Sequence, residues 1–324
     1  MTRPTFRQLL TLLGPFLGLL FVIGIFSLQP EVREVFLTGG NFKIIFTQTV
    51  IVAIGALGMT LIIVSGGIDL SVGSVVALTS VVGAKLLSLP EPWGTPGVIA
   101  ATVCAGALVG AINGSLIAGF RMMPFIVTLG MMGVARGAAK WLGDSQTVNY
   151  DEKAAVNSIM AMDEPYKFLP LPTGVWITIA LAVLVAVLLR QTIFGRYIFA
   201  IGSNEATARL CGLRVRMHKV IIYALAGLLF GIAGLMQLSR LTQGDPTVAI
   251  GLELDIIAAV VIGGASLSGG TGSILGSMIG ALIMAVLRNG SNQMGWPTYM
   301  QEIIIGIVIV LAVALDKFRQ GKTA

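Results

Sequence analysis

The chain has 324 residues, of which 56% are hydrophobic and only 11% are charged, and its formal net charge is +6. Soluble globular proteins carry about 25% charged residues, so this composition excludes an ordinary soluble domain and indicates a membrane protein. The basic residues cluster beside apolar segments, where the positive-inside rule accounts for them. Membrane lipid is therefore an expected partner, and nucleic acid is not.

The first apolar run, residues 9–26, follows Arg3 and Arg7. It is longer than a secretory signal core and no small-x-small cleavage site follows it, which predicts an uncleaved first span. Because a span needs about 20 apolar residues, the chain predicts an all-α polytopic fold of about ten spans, with nine or eleven as alternatives, in one membrane domain over residues 1–324. The predicted spans are 9–28, 44–65, 70–88, 97–119, 125–142, 173–190, 219–240, 252–267, 271–288 and 299–316.

Paired glycines interrupt the apolar pattern twice. GGIDLSVGSVVALTSVVGA at 66–84 aligns without gaps with GGASLSGGTGSILGSMIGA at 263–281, which indicates an internal repeat of the kind that marks transport pathways. Each glycine pair can end one helix, and Asp69, Ser71 or Ser268 can cap the next. Free backbone groups are not tolerated in lipid, so both breaks must be buried in protein or line a wet cavity. The predicted helix-break or gate residues are Gly66, Gly67, Gly263 and Gly264.

The position of these breaks leaves two alternatives. The span count places both on the cytoplasmic side, which makes the repeat parallel. Breaks at mid-membrane would instead allow an inverted repeat.

Polar side chains inside the spans are candidate substrate contacts. An acid within a membrane suggests a functional site, although Asp69 can also be the N-cap of a helix that begins near Leu70. Neutral groups able to hydrogen-bond a hydroxylated solute are Asn113, Thr128, Gln237, Ser239 and Asn292. The predicted substrate pathway consists of Asp69, Ser71, Asn113, Thr128 and Gln237.

Other patterns suggest packing rather than chemistry. Small residues at a spacing of four predict close helix contacts, and they occur at Gly106, Gly110, Gly114, Gly227, Gly231, Gly272, Gly276 and Gly280. Arg136 is expected to face protein or a cavity. No catalytic set is recognisable, and Cys104, Cys211 and His218 have no partners at metal-ligand spacing. We therefore expect neither an enzyme nor a metal site, and no cofactor bound by this chain.

Two polar connections stand out between the predicted spans. The loop 143–172 is acidic, with Asp163, Glu164 and Pro165 near its end, and can be a lid, a docking surface or a solvated connector. The connector 190–219 carries six basic residues against a single acid, Glu205. With the N-terminus inside, the inner segments hold more than half of the 21 lysines and arginines, which places both termini in the cytoplasm.

The connector also contains helix signals. Residues 202–204 predict a turn and a cap, residues 205–211 two helical turns, and Gly212 a stop. Glu205 in the first turn and Arg209 in the last suit the helix dipole. A helix this short is marginal alone in water, so it needs a partner surface or its own spans to hold it.

Four stretches in order resemble the membrane permeases of bacterial ATP-binding-cassette importers for monosaccharides, of the ribose/galactose/xylose type. GGIDLSVGS resembles the first signature of that family, and PFIVTLGMMGVARG the second. FGRYIFAIGSNEATARLCGLRV is similar to its cytoplasmic coupling segment, and AAVVIGGASLSGGTGSILGSMIGALIM to its distal signature. The nearest alternatives are a branched-chain amino-acid permease and an ion-coupled secondary transporter.

The resemblance implies a multi-pass subunit of the bacterial inner membrane that moves a monosaccharide. It also implies a second permease subunit, identical or similar, a cytoplasmic ATPase subunit that binds ATP and Mg, and a periplasmic or lipid-anchored sugar-binding protein. The residues expected at the ATPase-coupling interface are Gly202, Asn204, Glu205, Ala208, Arg209, Leu210 and Gly212.

Overall fold

Helices make up most of the chain. The computed structural model describes residues 6–162 and 170–320. Their helices, in chain order, are α1 (Phe6–Ser27), α2 (Pro30–Phe36), α3 (Gly39–Val64), α4 (Val72–Leu87), α5 (Thr95–Phe120), α6 (Pro124–Leu142), α7 (Thr173–Gln191), α8 (Ile193–Ser203), α9 (Glu205–Leu210), α10 (Val215–Leu241), α11 (Leu252–Ile262), α12 (Ile274–Gln293) and α13 (Thr298–Gln320). Strand β1 (Val148–Asn149) and a 3₁₀ turn (Ala155–Ile159) lie between α6 and α7, and strand β2 (Gln243–Gly244) follows α10.

Helix α3 lies at the centre of the bundle. Its side chains from Thr49 to Val64 are buried around the whole circumference, and it packs against α7, α10, α11 and α12. A helix that is apolar on all sides must be enclosed by protein or lipid, and this one is enclosed largely by its own neighbours.

Five of the described helices are long and apolar enough to cross a membrane, namely α3, α5, α7, α10 and α12. Shorter apolar stretches lie in α1, α4, α8 and α13. The chain is therefore a helical membrane protein with several spans, and most predicted boundaries agree with the observed helices to within a few residues.

The predicted span 252–267 is wrong as a full-length transmembrane helix, although the chain still passes from the β1–β2 end at Gly244 to the α9 end at Gly270. Helix α11 has 11 residues, which at 1.5 Å per residue is about 16 Å, roughly half of the hydrocarbon core. Its side chains are largely buried, Ile256, Ala258 and Val260 completely, so neighbouring helices shield the irregular backbone before it. The apolar run alone could not reveal this, because it continues beyond the end of the helix.

The connector contains a helix that the sequence analysis did not predict. Gly202 and Ser203 are not a turn but the last residues of α8. A side chain at Gly195 would overlap the carbonyl groups of Leu188 and Leu189, so glycine there permits the sharp passage from α7 into α8. Ile198 and Ile201 bury the inner face of α8.

The predicted glycine ridges are confirmed as packing surfaces. Helices α5 and α10 cross so closely that a Cβ atom at Gly106 or Gly110 would overlap backbone carbonyls of α10, and one at Gly227 would overlap the carbonyl of Gly106. Close approach of backbones is the usual role of such small residues in membrane helices. Gly276 and Gly280 likewise pack against the backbone of the α11 segment.

The bundle has two distinct ends. At the β1–β2 end, the two strands pair antiparallel, Tyr150 Oη donates to the carbonyl of Leu238 over 3.2 Å, and Met160 N donates to Ser239 Oγ over 3.0 Å. The described part of the loop 143–172 is thus fixed to the end of α10, while Asp163, Glu164 and Pro165 lie outside the described residues. The α9 end carries α8, α9 and both helix breaks.

Candidate functional site

Helix α9 forms as the sequence predicts. It covers Glu205–Leu210, and Asn204 Oδ1 accepts a hydrogen bond of 2.9 Å from Thr207 N, which satisfies one of the free donors of the first turn. Gly212 has φ +84° and supplies the left-handed residue that follows many helix ends. Local side-chain chemistry is therefore sufficient to start and stop this helix.

Glu205 connects α9 to α10. Its carboxylate accepts from Arg209 Nη2 at 2.8 Å and from Lys219 Nζ at 2.6 Å. Partial burial alone would raise the pKa of Glu205, but the hydrogen bonds and charges of Lys219 and Arg209 outweigh it and lower the pKa below its usual value. The contact with Lys219 fixes the orientation of α9 against the first two turns of α10.

The predicted coupling residues face two directions. Asn204, Arg209, Leu210 and Gly212 are exposed, and Leu210 is 89% exposed despite being apolar. Glu205 is half-buried. Gly202 and Ala208 instead face the protein, with Ala208 buried beside Ile201 and Val215, so these two support α9 rather than offer a surface. Next to α9 lies a basic cavity of about 320 Å³ whose charged lining is Arg121, Glu205, Arg209, Arg216 and Lys219.

Both helix breaks meet at the α9 end. Gly270 N donates to the carbonyl of Val64 over 2.9 Å, and a Cβ atom at Gly202 would overlap that same carbonyl. The two repeats therefore turn at one end of the bundle, which agrees with the parallel arrangement. Because α3 is 26 residues long, about 39 Å, the first break follows a complete span and does not lie at mid-membrane.

Glycine is needed at the four break positions for different structural reasons. Gly66 and Gly264 have φ of +82° and +91°, a region that residues with a Cβ atom avoid. Gly67 and Gly263 have ordinary angles, but a side chain at Gly67 would contact the Tyr223 hydroxyl and one at Gly263 would overlap the backbone of α12. The start of α12 was predicted wrongly: Ser273, whose Oγ accepts from Gly276 N, is its cap rather than Ser268.

Three of the predicted pathway residues form one buried cluster. Asp69 Oδ1 accepts from Ser71 N at 2.7 Å and from Ser71 Oγ at 2.6 Å, and Asn113 Nδ2 donates to Ser71 Oγ over 3.1 Å. All three are buried. Asp69 is not the N-cap of α4, because the cap position is Ser71 and the carboxylate instead closes the turn before it.

Thr128 lies beside this cluster and is equally buried. Its hydroxyl donates to the Pro124 carbonyl over 2.9 Å and approaches the Ile68 carbonyl at 3.4 Å. Together with the three cluster residues it bridges α4, α5 and α6 and keeps the first break in place.

Gln237 lies apart from the cluster, in a cavity of about 310 Å³ at the β1–β2 end. We call this the polar cavity. Its polar lining comes from four helices: Gln48, Gln237, Arg240, Asp255, Arg288 and Asn292. Of these, only Gln237 and Asn292 were predicted from the sequence as candidate solute contacts. Arg240, Asp255 and Arg288 could have been recognised in the sequence, because charged residues inside apolar segments indicate a functional site.

Charge in the polar cavity is only partly paired. Arg288 Nη2 donates to Asp255 Oδ2, and the Asp255 side chain is only 4% exposed. Within the described residues, Arg240 has no ion-pair or hydrogen-bond partner. Arg136, which the sequence placed against protein, donates from Nη1 to the carbonyls of Pro246 and Val248 and so holds the chain segment at the cavity's edge.

Among the described residues, no group of three histidine, cysteine, aspartate or glutamate side chains could hold an ion.

Comparison with known proteins assigns the family. Residues 41–313 match the family described as branched-chain amino acid transport system / permease component. The chain belongs to this permease family. It is 42% identical to the ribose import permease protein RbsC of Escherichia coli K12, over 94% of this chain and 93% of the relative. It is also 42% identical to RbsC of Bacillus subtilis, over 97% and 95%, and 36% identical to the L-arabinose ABC transporter permease protein AraH of Azospirillum brasilense, over 89% and 83%. No solved structure matches the chain.

Proposed function

We propose that this chain is the non-enzymatic membrane subunit of an ATP-binding-cassette importer that carries a monosaccharide across the bacterial inner membrane. The observation that supports this most is the similarity to sugar permeases over nearly the whole length of both proteins. The polar cavity supports it further, because amide and charged side chains that converge in one cavity suit a hydroxylated solute.

The basic residues support an orientation in the membrane. We infer about ten crossings within a single domain, with both termini and the α9 end in the cytoplasm and the β1–β2 end outside. The described cations beside α9 agree with this direction. Arg3 and Lys322, which contribute to the same asymmetry, lie outside the described residues.

Helix α9 is the proposed contact with a separate ATPase subunit, which would bind ATP and Mg. Exposed Leu210 and Arg209 would face that subunit, while Ala208 and the Glu205–Lys219 pair would hold α9 to α10. A second permease subunit and a periplasmic or lipid-anchored sugar-binding protein complete the proposed importer, with the binding protein at the β1–β2 end.

For the solute we propose a path through the polar cavity toward the break glycines. Gln237 lines the cavity directly, and Asp69, Ser71, Asn113 and Thr128 set the position of the first break. Their role in this proposal is therefore to position the gate rather than to touch sugar.

Reconstitution tests the function. The chain is placed in liposomes alone, with its ATPase, and with both the ATPase and the binding protein, and uptake of labelled ribose, arabinose, galactose, galacturonate and leucine is measured. Monosaccharide uptake that needs ATP and all components is expected. Uptake by the chain alone would show a secondary transporter, and ATP-driven uptake of leucine in place of sugars would show an amino-acid permease.

A further inference from the structure

We propose that the solute recognised in the polar cavity is a monosaccharide that carries a carboxylate group, and that Arg240 binds this carboxylate. The inference rests on the proposed function and specifies its substrate. It starts from the composition of the cavity wall, in which two guanidinium groups face a single acid.

The charge of the polar cavity favours a ligand of this kind. Asp255 is occupied by Arg288, so the charged groups of the cavity sum to one unpaired positive charge, that of Arg240. Arg240 is exposed into this cavity without a partner among the described residues, so a ligand with one negative charge can pair with its guanidinium group there. A carboxylate carries one such charge, whereas a phosphate monoester carries about −1.5 to −2 and would exceed what the cavity offers.

The hydrogen-bonding groups of the polar cavity favour the same ligand. A guanidinium group has five N–H donors and no acceptor. Arg288 Nε is buried and has no hydrogen-bond partner among the described residues, and the described contacts include none for the side-chain amides of Gln48 and Gln237. The amides offer acceptors as well as donors, whereas the guanidinium groups of Arg240 and Arg288 offer donors only. This balance favours a ligand that supplies acceptors, and a carboxylate gives a guanidinium two in the matching geometry.

The position of Arg240 also suits this role. Arg240 lies in the last turn of α10, where the helix dipole alone favours a cation. However, Arg240 also lines a cavity of about 310 Å³, which lies at the small end of the range for ligand sites and suits one sugar. Two walls of this cavity, from α10 and α12, bring the two arginines to the same space.

The test uses matched sugars that differ only at C6: D-galactose with D-galacturonate, and D-glucose with D-glucuronate. Binding to the purified permease–ATPase complex in nanodiscs, without the sugar-binding protein, is measured by calorimetry for the native chain, Arg240→Gln and Arg33→Gln. Arg33 is exposed on α2, at the same end of the bundle and outside the cavity, so its variant controls for net charge.

We expect at least one uronate to bind about 10- to 100-fold more tightly than its neutral partner, as charge-assisted hydrogen bonds predict. Arg240→Gln should abolish this preference and Arg33→Gln should retain it. Equal or tighter binding of the neutral sugars, no uronate binding at about 10 mM, or equal losses in both variants would overturn the inference and leave sugar transport standing. Binding of leucine in place of every sugar would overturn the proposed function as well.

Discussion

Loosening α9 from α10 should uncouple transport from ATP hydrolysis. The double variant Asn204→Ala/Lys219→Met removes the helix cap, worth about 1 kcal/mol, and an ion pair worth at most about 1 kcal/mol, because the Glu205 side chain is 40% exposed. Since both contacts act on one helix of 6 residues, about 2 kcal/mol is the upper bound. That corresponds to roughly a 30-fold shift toward the released helix, and a helix this short does not persist alone.

Hydrogen exchange of residues 204–212 in the assembled importer measures the release, and uptake with ATP hydrolysis measures its effect. We expect exchange to rise by about 10- to 30-fold, hydrolysis to continue, and uptake to fall. Lys43→Met, which removes a lysine of α3 that has no ion pair among the described residues, is the matched control. Uptake at the native rate in spite of faster exchange would refute the coupling role of α9.

Three further outcomes are expected. Because the folded-state pKa of Glu205 is lowered from 4.5, its contribution to holding α9 is present above that pH and lost as the pH falls below it. The protection of α9 against exchange, corrected for the intrinsic pH dependence of amide exchange, should therefore be flat from about pH 8 to 6 and fall only in acid. Gly110→Leu should prevent folding of the α5–α10 pair, seen as aggregation on size exclusion, whereas Gly119→Leu, in open space, should behave as native. Asp69→Ala should lower thermal stability by about 2–3 kcal/mol, since it leaves buried donors on Ser71 without an acceptor; unchanged melting would contradict this.

The parts that the sequence predicted well depend on local chemistry. An asparagine cap, an acid in the first turn and a following glycine were enough to place α9, because each acts within a few residues. Apolar length located most membrane helices for the same reason. Spaced glycines predicted helix contacts, although not which helix each one meets.

The parts that were missed depend on tertiary contacts. The break at Gly66 and the end of α8 at Gly202 are far apart in the chain, and only the fold brings them onto the Val64 carbonyl. The polar cavity likewise assembles Arg240, Asp255 and Arg288 from three helices. Each of these charges was visible in an apolar segment, but their convergence was not.

The helix that contacts α9 also reaches the polar cavity. Helix α10 has 27 residues without a proline, about 40 Å of continuous helix. Lys219 in its first turns binds Glu205 at 2.6 Å, and Gln237 and Arg240 in its last turns line the cavity. A displacement of α9 must therefore either break the Glu205–Lys219 pair or move the start of α10. In the second case the rigid helix carries the two cavity residues with it. The contact that anchors α9 is therefore also a mechanical connection between the proposed ATPase surface and the proposed solute site.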